Sequence, residues 1–282
     1  MKIIKRILNI KNMNNTIELA NKIRKHTLAM IRIGKSSHVG SNLSMADIIA
    51  VLYGHIMKFD IFNPEWEMRD RFVVSKGHAA ASLYAVLAEC GFFNLLKLNT
   101  YYQDGSDLCG HVTKKNNPGI EFSTGSLGHG LPVAVGIAKS AQIKKAAHRI
   151  FCLLSDGECD EGSNWEAILF ASHHKLSNLC VLVDRNGLQS IKSTEETLKL
   201  EPIDEKFKAF GWDVSLIDGH CHNKILSEIS TKKSAEYKPK AIICNTVKGK
   251  GISFMENQIE WHYKYPNMPQ YLEALQELNS KQ

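Results

Sequence analysis

Two polar clusters, thirty residues apart, contain the residue types that bind a metal ion and a phosphate group. Asp156 offers a carboxylate, Asn186 an amide oxygen and Leu188 a backbone carbonyl, and Mg²⁺ prefers such hard oxygens while leaving other positions to water and phosphate. Gly157 lacks a Cβ, so its backbone can approach a phosphate near the start of a helix, where anions are favoured. The pattern predicts a magnesium–diphosphate site with Asp156, Asn186 and Leu188 as metal ligands.

An apolar run precedes each cluster, and a helical pattern separates the two runs. The runs at 150–154 and 179–183 have the length of buried strands. The apolar residues of 162–171 recur at helical spacing, and Ser163 or Asn164 is suited to cap that helix. We therefore predict a strand, a helix and a parallel strand, which would bring both clusters to the carboxyl edge of one sheet, where such sheets bind ligands.

The remaining apolar runs predict the rest of the sheet. Runs near 72–74, 212–217 and 241–244 do not alternate with polar residues, which is typical of parallel strands covered on both faces. With the two runs above, they indicate an α/β fold: a doubly wound, mainly parallel sheet of about five or six strands flanked by helices.

Two segments, 44–57 and 77–90, carry the pattern of helices between these strands. Ser44 is expected to cap the first, with Asp47 reaching back as an imperfect capping box. The chain has 282 residues, of which 44% are hydrophobic, and no Pro- or Gly-rich linker divides it. One α/β domain is therefore the favoured organisation.

Composition excludes several classes of protein. The formal net charge of +6 is spread over the chain without a basic stripe that contains aromatic residues, so nucleic-acid binding is not expected. Seven cysteines occur without a Cys-x-x-Cys pair, and Cys152, Cys180 and Cys244 lie inside predicted strands, where cysteine behaves as a small hydrophobe. We predict a reduced, cytoplasmic protein.

The first residues form a basic and apolar extension, which we assign to 1–14. Lys5 and Arg6 interrupt its apolar run and no small-residue cleavage site follows, so a signal peptide is not expected. The run is too short to span a bilayer. We therefore predict no membrane partner and a folded domain at 15–282.

Five ordered motifs, spanning about residues 15 to 270, resemble those of the transketolase family. Asp156-Gly157 followed by Asn186 resembles the family's thiamine diphosphate signature. The other four motifs are Ser36-Ser37-His38-Val39-Gly40, the stretch from Arg69-Asp70-Arg71-Phe72 to Lys76-Gly77-His78, Gly110-His111 with Thr124-Gly125-Ser126-Leu127-Gly128-His129-Gly130, and Lys248-Gly249-Lys250-Gly251 with Trp261-His262.

The resemblance implies a cofactor and the residues that would serve it. The cofactor is thiamine diphosphate with Mg²⁺, for which Ca²⁺ or Mn²⁺ could substitute, and 15–282 would be the diphosphate-binding domain of the thiamine diphosphate-binding fold. The implied cofactor-binding residues are His78, Gly125, Ser126, Leu127, Asp156, Gly157, Glu158 and Asn186. The implied catalytic residues, which would line the substrate channel, are His38, His78, His111 and His262.

The resemblance also implies a reaction and a partner. A transketolase transfers a two-carbon ketol unit from a ketose donor to an aldose acceptor, and we expect the sugars to be phosphorylated. The chain stops soon after His262, whereas the family's pyrimidine-binding and carboxyl-terminal domains follow this region. We therefore expect a split transketolase in which a second chain supplies those domains and the catalytic glutamate, assembled as α₂β₂.

Three departures from the family pattern leave the sugar open. Ser155 replaces a glycine, Val39 a proline and His129 a glutamine, so a specialised pathway and the pentose phosphate reaction both remain as hypotheses. His129 would either touch the cofactor or substrate or lie on the surface. Glu161 would either face the partner's site or complement a helix dipole.

Two alternatives are kept. The first is the alpha subunit of a 2-oxo-acid dehydrogenase, which also carries the diphosphate half of a thiamine diphosphate site. The second is a non-catalytic relative that retains the fold. The intact Asp156, Gly157 and Asn186 argue against the second. Outside the motifs, no role is assigned to His26, His55, His148, His173, His174, His220 and His222.

Overall fold

Five parallel strands form the centre of the protein. The computed structural model describes residues 13–231 and 237–280. The strands lie in the order β1-β2-β3-β5-β4, and each contains one of the five apolar runs, so the predicted parallel sheet is confirmed. Their bounds are β1 Arg71–Val74, β2 Ile150–Ser155, β3 Leu179–Arg185, β4 Asp213–Asp218 and β5 Lys240–Asn245.

Helices cover both faces of this sheet. Their bounds are α1 Met13–Gly34, α2 Val39–Ser44, α3 Ala46–Val51, α4 Ala80–Cys90, α5 Gly130–Ile143, α6 Gly162–His173, α7 Thr194–Thr197, α8 Ile203–Ala209, α9 His222–Ser230 and α10 Met268–Ser280. A π-helical turn, Leu52–Ile56, continues α3, and 3₁₀ turns lie at Gly77–Ala79, Leu95–Thr100, Gly157–Asp160 and Ile259–His262.

Two apolar cores result, one on each face. Alternate residues of a strand enter different cores, as Leu153 joins the core with α1 to α4 and Leu154 joins the core with α5, α6 and α8. Burial of each such side chain contributes roughly 1.5 to 3 kcal/mol. Cys152 and Cys244 are fully buried free thiols in these cores, and Cys180 is 9% exposed, so their predicted behaviour as small hydrophobes is confirmed.

The register of the parallel strands aligns their carboxyl ends. Ser155, the last residue of β2, pairs with Asp184 of β3, and Arg185 pairs with Asn245 of β5. The segments that follow β2, β3 and β5 therefore leave the sheet at one edge. The two polar clusters meet there, as predicted from the strand–helix–strand pattern.

The predicted cap of α6 is wrong. The helix begins after Glu161, which makes no side-chain cap hydrogen bond, and both Ser163 and Asn164 lie inside the helix. The Ser163 hydroxyl donates to the carbonyl of Gly128 at 2.7 Å, and the Asn164 amide donates to the carbonyl of Glu158 at 2.7 Å. These side chains tie the first turn of α6 to two neighbouring loops instead.

The predicted capping box at Ser44 and Asp47 is also wrong. Ser44 is the last residue of α2, and Met45 joins α2 to α3 without a side-chain cap. The Ser44 hydroxyl donates to Asp184 at 2.6 Å, and the Asp47 carboxylate binds Arg24. Both side chains bind residues that are distant in sequence, and neither caps the start of a helix.

The predicted boundary at residues 14 and 15 stays a prediction. Residues 1–12 lie outside the described residues, and α1 begins at Met13. None of the helices in 13–231 and 237–280 combines the length and the apolar content that crossing a bilayer requires.

Candidate active site

Asp156 lies at the centre of the sheet edge that gathers the polar clusters. Its carboxylate accepts a hydrogen bond from the Gly157 N–H at 2.8 Å and another from the Gly187 N–H at 2.6 Å. The residue is only 2% exposed, and burial raises the pKa of its carboxyl to about 6 in spite of these two bonds. A cation beside this carboxylate would favour its charged form.

The other two predicted metal ligands follow β3. The Asn186 side-chain oxygen accepts from the N–H of Leu188 at 3.1 Å, and the Leu188 carbonyl accepts from the ammonium of Lys248 at 3.0 Å. No group of three His, Cys, Asp or Glu residues in the described ranges could hold a metal ion. A metal here would therefore rely on one carboxylate, an amide and a carbonyl oxygen, with the remaining oxygens supplied by its ligand, a donor set that fits Mg²⁺ and a diphosphate.

The sequence did not predict two buried lysines at this edge. The ammonium of Lys76, which is fully buried, donates to the Ser41 carbonyl at 2.9 Å and forms an ion pair with Asp184. Burial opposes ionisation of Asp184, but Lys76 and hydrogen bonds from Ser44 and Thr246 outweigh it and lower the pKa of that carboxyl. Lysine is almost never fully buried without a partner. The position of Lys76 inside one of the five sequence motifs could have indicated that this lysine is buried and paired.

Lys248 is the second of these lysines and is 1% exposed. Its ammonium donates to the carbonyls of Leu188 and Gln189, at 3.0 and 2.8 Å, and lies 3.2 Å from Nδ1 of His262. Burial and the charge of Lys76 lower the pKa of Lys248 to about 8. A second cation at the same edge makes the region suited to an anion that carries several negative charges.

Four of the five histidines in the sequence motifs meet beside Lys248, and we call these four, His38, His78, His111 and His262, the four-histidine cluster. The ring of His38 lies 5.0 Å from that of His78, 4.9 Å from His262 and 5.8 Å from His111, measured between centroids. His78 and His262 are 6.0 Å apart. Four segments distant in sequence thus bring their imidazoles together.

The backbone at His38 explains how this ring is held at the centre. His38 has a left-handed conformation with φ of 73°, which is uncommon for a residue with a side chain. Its N–H donates to the carbonyl of His262 at 2.7 Å, and its carbonyl accepts from the Asn42 N–H at 3.1 Å. These bonds hold the strained residue between α2 and the Ile259–His262 turn.

Three rings of the cluster, those of His38, His78 and His262, are held in the uncharged form. Burial, His111 and the two buried lysines lower the pKa of His38 to about 4, and burial, Lys248, His38 and Lys76 lower that of His262 to about 3. Burial, together with Lys76 and the neighbouring histidines, keeps the pKa of His78 well below its usual value. Near neutral pH these rings can each donate one hydrogen bond and accept another.

The predicted ring-binding segment, Gly125 to Leu127, lies against the cluster. A Cβ added to Gly125 would stand 3.3 Å from the His111 ring, and one added to Gly77 would stand 2.4 Å from the backbone of Thr124. The segment is therefore packed between the His111 loop and the turn before His78. The cofactor contacts of Gly125, Ser126 and Leu127 stay predictions.

Glu158, one of the predicted cofactor-binding residues, directs its side chain into the protein. Its carboxylate is fully buried and accepts from the Ser75 hydroxyl, from the Gly128 N–H at 3.0 Å and from the Ser155 N–H at 3.4 Å. Burial raises its pKa. This carboxylate anchors the Gly128 loop to the sheet edge, and the cofactor contact of Glu158 stays a prediction.

His129 and Glu161, for which the sequence left two roles each, both lie at the surface. His129 is exposed, and its Nδ1 lies 3.1 Å from the Leu127 carbonyl. Glu161 is exposed just before α6, and its side chain stands beside Gly128, so that a Cβ on Gly128 would be 2.7 Å from the Glu161 Cβ. No ring contact joins His129 to the four-histidine cluster among the residues described.

Known proteins are similar to this chain along most of its length. Residues 15–265 match the protein family described as "Transketolase, thiamine diphosphate binding domain". The "6-deoxy-6-sulfo-D-fructose transketolase subunit SqwG" of Clostridium sp. (strain MSTE9) is 43% identical over 86% of this chain and 88% of its own length. An apulose-4-phosphate transketolase subunit of Phocaeicola vulgatus is 40% identical over 94% of this chain and 95% of its own.

Solved structures agree with the fold. Transketolase from Campylobacter jejuni superposes with a TM-score of 0.88 at 32% identity, and transketolase from Leishmania mexicana with 0.87 at 30%. The chain spans 43% and 41% of those two longer chains, respectively. The predicted thiamine diphosphate-binding fold is therefore confirmed. The fold, the motifs and the relatives of this chain together show that it belongs to the transketolase family.

Proposed function

We propose that the chain is the thiamine diphosphate-binding subunit of a two-subunit transketolase. The observation that carries this proposal is the continuity of the site: the ammonium of Lys248 contacts both the Leu188 carbonyl of the predicted metal site and the His262 ring of the four-histidine cluster. A place for the cofactor's diphosphate thus adjoins a group of imidazoles that can carry protons. The family assignment argues against the alpha subunit of a 2-oxo-acid dehydrogenase.

Asp156, Asn186 and the Leu188 carbonyl would hold Mg²⁺, with Ca²⁺ or Mn²⁺ as substitutes. The Gly157 backbone and the ammonium of Lys248 would meet the diphosphate, and a metal ion there would favour the charged form of the Asp156 carboxylate, whose pKa burial and the nearby Asp184 raise. When bound, thiamine diphosphate supplies the electron sink that cleavage of a carbon–carbon bond next to a carbonyl requires.

The histidines would handle the protons and hydroxyl groups of the sugar. Among the residues described, the rings of His38 and His111 have no hydrogen-bonded protein partner, whereas Nε2 of His78 lies 2.8 Å from the Ser41 hydroxyl. A neutral imidazole can accept the proton of a donor hydroxyl at its free ring nitrogen and return it to the acceptor. His38 and His111 are therefore the best placed for proton transfer, and His78 and His262 for orientation of the substrate.

The substrate class we propose is an anionic sugar, with a phosphorylated ketose as donor and an aldose as acceptor. Two relatives are named for apulose 4-phosphate and for 6-deoxy-6-sulfo-D-fructose, and both names describe a sugar with an acidic substituent. A specialised pathway is thus as well supported as the pentose phosphate reaction. Proteins that act on such sugars in metabolism are typically cytoplasmic, and we propose the same for this one.

The partner we propose is a second chain with the pyrimidine-binding and carboxyl-terminal domains. Relatives whose length this chain nearly spans are named as subunits, which supports a divided enzyme. Two half-sites that meet at an interface favour a closed two-fold assembly, α₂β₂. Glu161, exposed at the same edge as the Gly128 loop, is the residue of this chain that we expect nearest to the partner's site.

The test is a mixing experiment. The purified chain, supplied with thiamine diphosphate, Mg²⁺ and several ketose phosphates, is expected to cleave no donor, because the group that activates the cofactor lies on the partner. Addition of the partner should produce turnover, and an Asp156→Asn chain mixed with the same partner should not. Steady turnover by this chain alone at about 1 to 10³ s⁻¹, the usual enzymatic range, would contradict the proposal.

A further inference from the structure

A buried carboxylate outside the proposed metal site gathers one arginine and two histidines, and we call Arg24, Asp47, His220 and His222 the Asp47 network. Asp47 is 6% exposed and accepts from both terminal nitrogens of Arg24, at 3.1 and 2.5 Å. Nδ1 of His220 lies 2.7 Å from it and Nε2 of His222 lies 3.1 Å from it. Burial opposes ionisation, but Arg24 and the two histidines outweigh it and hold the pKa of this carboxyl well below its usual range.

The hydrogen bonds of His220 assign its proton. Its Nε2 accepts from the backbone N–H of Val247 at 2.8 Å, so this nitrogen carries a lone pair and no proton. The proton therefore sits on Nδ1, which faces Asp47. His220 is therefore a neutral imidazole that the Asp47 carboxylate orients. It accepts a hydrogen bond from the backbone at Val247, two residues after the end of β5.

That stretch of backbone leads directly to the active site. Val247 precedes Lys248, whose ammonium reaches Leu188, Gln189 and His262. The same network holds the stretch a second time, because Nε of Arg24 donates to the Lys250 carbonyl at 3.0 Å. Between these two attachments the chain forms a turn, in which the Lys250 N–H donates to the Val247 carbonyl at 3.1 Å, and the Gly249 N–H adds a third attachment to the Gly40 carbonyl at 3.0 Å.

We propose that His220, oriented by Asp47, is a positioning residue that fixes Lys248 and thereby His262 in the active site. This inference rests on the proposed function, because that function makes Lys248 and His262 parts of an active site. The hydrogen bond from the Val247 N–H to His220 does not depend on which reaction the protein catalyses. His220 touches neither the proposed metal ligands nor the four-histidine cluster. It acts through the backbone of Val247, and a shift of the next residue by about 1 Å can lower a rate on the order of a hundredfold.

Two variants of His220 separate this role from simple packing. His220→Phe fills the space of the ring but cannot accept from Val247 or donate to Asp47. His220→Gln keeps an oxygen acceptor and an N–H donor on one flexible side chain. The matched control is His26, whose Nε2 lies 2.7 Å from the carboxylate of Glu89, because His26→Phe also removes a histidine–carboxylate contact but leaves the 246–251 segment untouched.

The experiment measures three quantities on the full chain and on the assembled two-subunit enzyme. They are the hydrogen exchange of the Val247 amide, the affinity for thiamine diphosphate with Mg²⁺ by calorimetry, and kcat and KM for the donor. His220→Phe should speed exchange at Val247 at least tenfold, weaken cofactor binding about tenfold and lower kcat/KM about 10- to 100-fold. His220→Gln should recover most of each loss.

Several results would overturn the proposal. These are an unchanged exchange rate at Val247 in a folded His220→Phe chain, equal losses in His220→Phe and His220→Gln, or the same losses in His26→Phe. If His220→Phe does not fold, His220→Met is measured in its place with the same expectations. An enzyme without ketol transfer would defeat the proposed function alone, because the exchange and cofactor measurements still decide whether His220 positions this segment.

Discussion

The two groups of histidines in this protein differ in what surrounds their rings. In the four-histidine cluster no imidazole is hydrogen-bonded to a carboxylate among the residues described, and the ammonium ions of Lys76 and Lys248 help to lower the pKa values of His38 and His262. In the Asp47 network both imidazoles contact one carboxylate, and their other nitrogens meet the Val247 N–H and the Thr16 hydroxyl.

This difference separates a reactive use of histidine from a structural one. A ring whose two nitrogens both have protein partners is fixed in one tautomer, so it can hold a neighbouring segment but has no position left for a substrate. A ring that burial and nearby cations keep neutral, with a nitrogen lacking a protein partner, can take up and release a proton. Residue type alone does not distinguish these uses, whereas the number of ring nitrogens that already have a protein partner does.

The distinction between reactive and structural histidines loses its basis if no cofactor binds beside the four-histidine cluster. The variant Asp156→Asn tests whether a cofactor binds there. We expect a loss of turnover of more than about a thousandfold and a loss of Mg²⁺-dependent affinity for thiamine diphosphate of about a hundredfold or more, because the charged metal ligand is gone. The fold should survive, at a cost of about 1 to 3 kcal/mol for an impaired bond to Gly157 or Gly187. Calorimetry and thermal melting measure these effects.

Asp160→Asn is the matched control, because this carboxylate ends the 3₁₀ turn that follows Asp156 and accepts from Gln189 rather than from the backbone at the sheet edge. Its cofactor affinity should stay within about twofold of the wild type. An Asp156→Asn chain that binds cofactor and metal with unchanged affinity would remove the predicted role of Asp156.

Single alanine replacements in the four-histidine cluster should have the next largest effects. His38→Ala, His78→Ala, His111→Ala and His262→Ala are each expected to lower kcat/KM by roughly 10- to 1000-fold, equivalent to about 1.4 to 4 kcal/mol of transition-state stabilisation. Cofactor affinity should change less than turnover does. Steady-state kinetics of the assembled enzyme measure turnover, and calorimetry measures the affinity.

His26→Ala is the control, because His26 contacts Glu89 and lies outside both groups. Equal losses at His26 and at the four positions would indicate general destabilisation, and the distinction between the two groups of histidines would then have no support.

The sequence predicted the sheet and the meeting of the motifs because both depend on short patterns. Each apolar run became a strand, and parallel pairing alone requires the segments after β2 and β3 to share an edge. The approach of His38, His78, His111 and His262 was expected from the family resemblance, not from spacing. Their roles and those of the cofactor-binding residues stay predictions.

What the sequence did not predict depends on partners that are distant along the chain. Lys76 is buried because Asp184, 108 residues away, neutralises it, and nothing local to Lys76 announces that pairing. Glu158 turns inward because Ser75 and the Gly128 backbone offer donors. The wrong caps predicted at Ser44 and Ser163 have the same cause, since each hydroxyl donates a hydrogen bond to a group in another segment.

A substitution at His222 should sharpen the comparison from the structural side. His222→Phe removes a donor to Asp47 and leaves the Thr16 hydroxyl without this partner, so we expect a loss of about 1 to 3 kcal/mol in the free energy of unfolding. The kcat of the folded enzyme should stay within about twofold, because His222 does not contact the Val247 segment. Urea denaturation and kinetics at saturating substrate measure the two quantities.

His173→Phe, a change at an exposed histidine, is the control and should alter neither quantity measurably. A tenfold loss of kcat in His222→Phe without a loss of stability would show that the Asp47 network contributes to the reaction beyond its positioning by His220.

The smallest effect we predict is a dependence of stability on pH that originates in the four-histidine cluster. The pKa of His38 is lowered to about 4 by burial, His111 and the two buried lysines, whereas an unfolded chain has a histidine pKa of about 6.5. The unfolded state therefore binds the proton first as the pH falls. The stability that His38 contributes is present above pH 6.5 and is lost as the pH falls from 6.5 to about 4, by at most about 2 kcal/mol between pH 7 and pH 5.

His38→Asn isolates this contribution, because asparagine does not titrate and tolerates the left-handed backbone at position 38 better than most residues. Urea denaturation at pH 7 and at pH 5 should show a smaller loss of stability in His38→Asn than in the wild type. His26→Asn should behave like the wild type. Equal losses in the wild type and in His38→Asn would mean that His38 takes up its proton as readily in the folded protein as in the unfolded chain, and the cluster would then lack the electrostatic character that separates it from the Asp47 network.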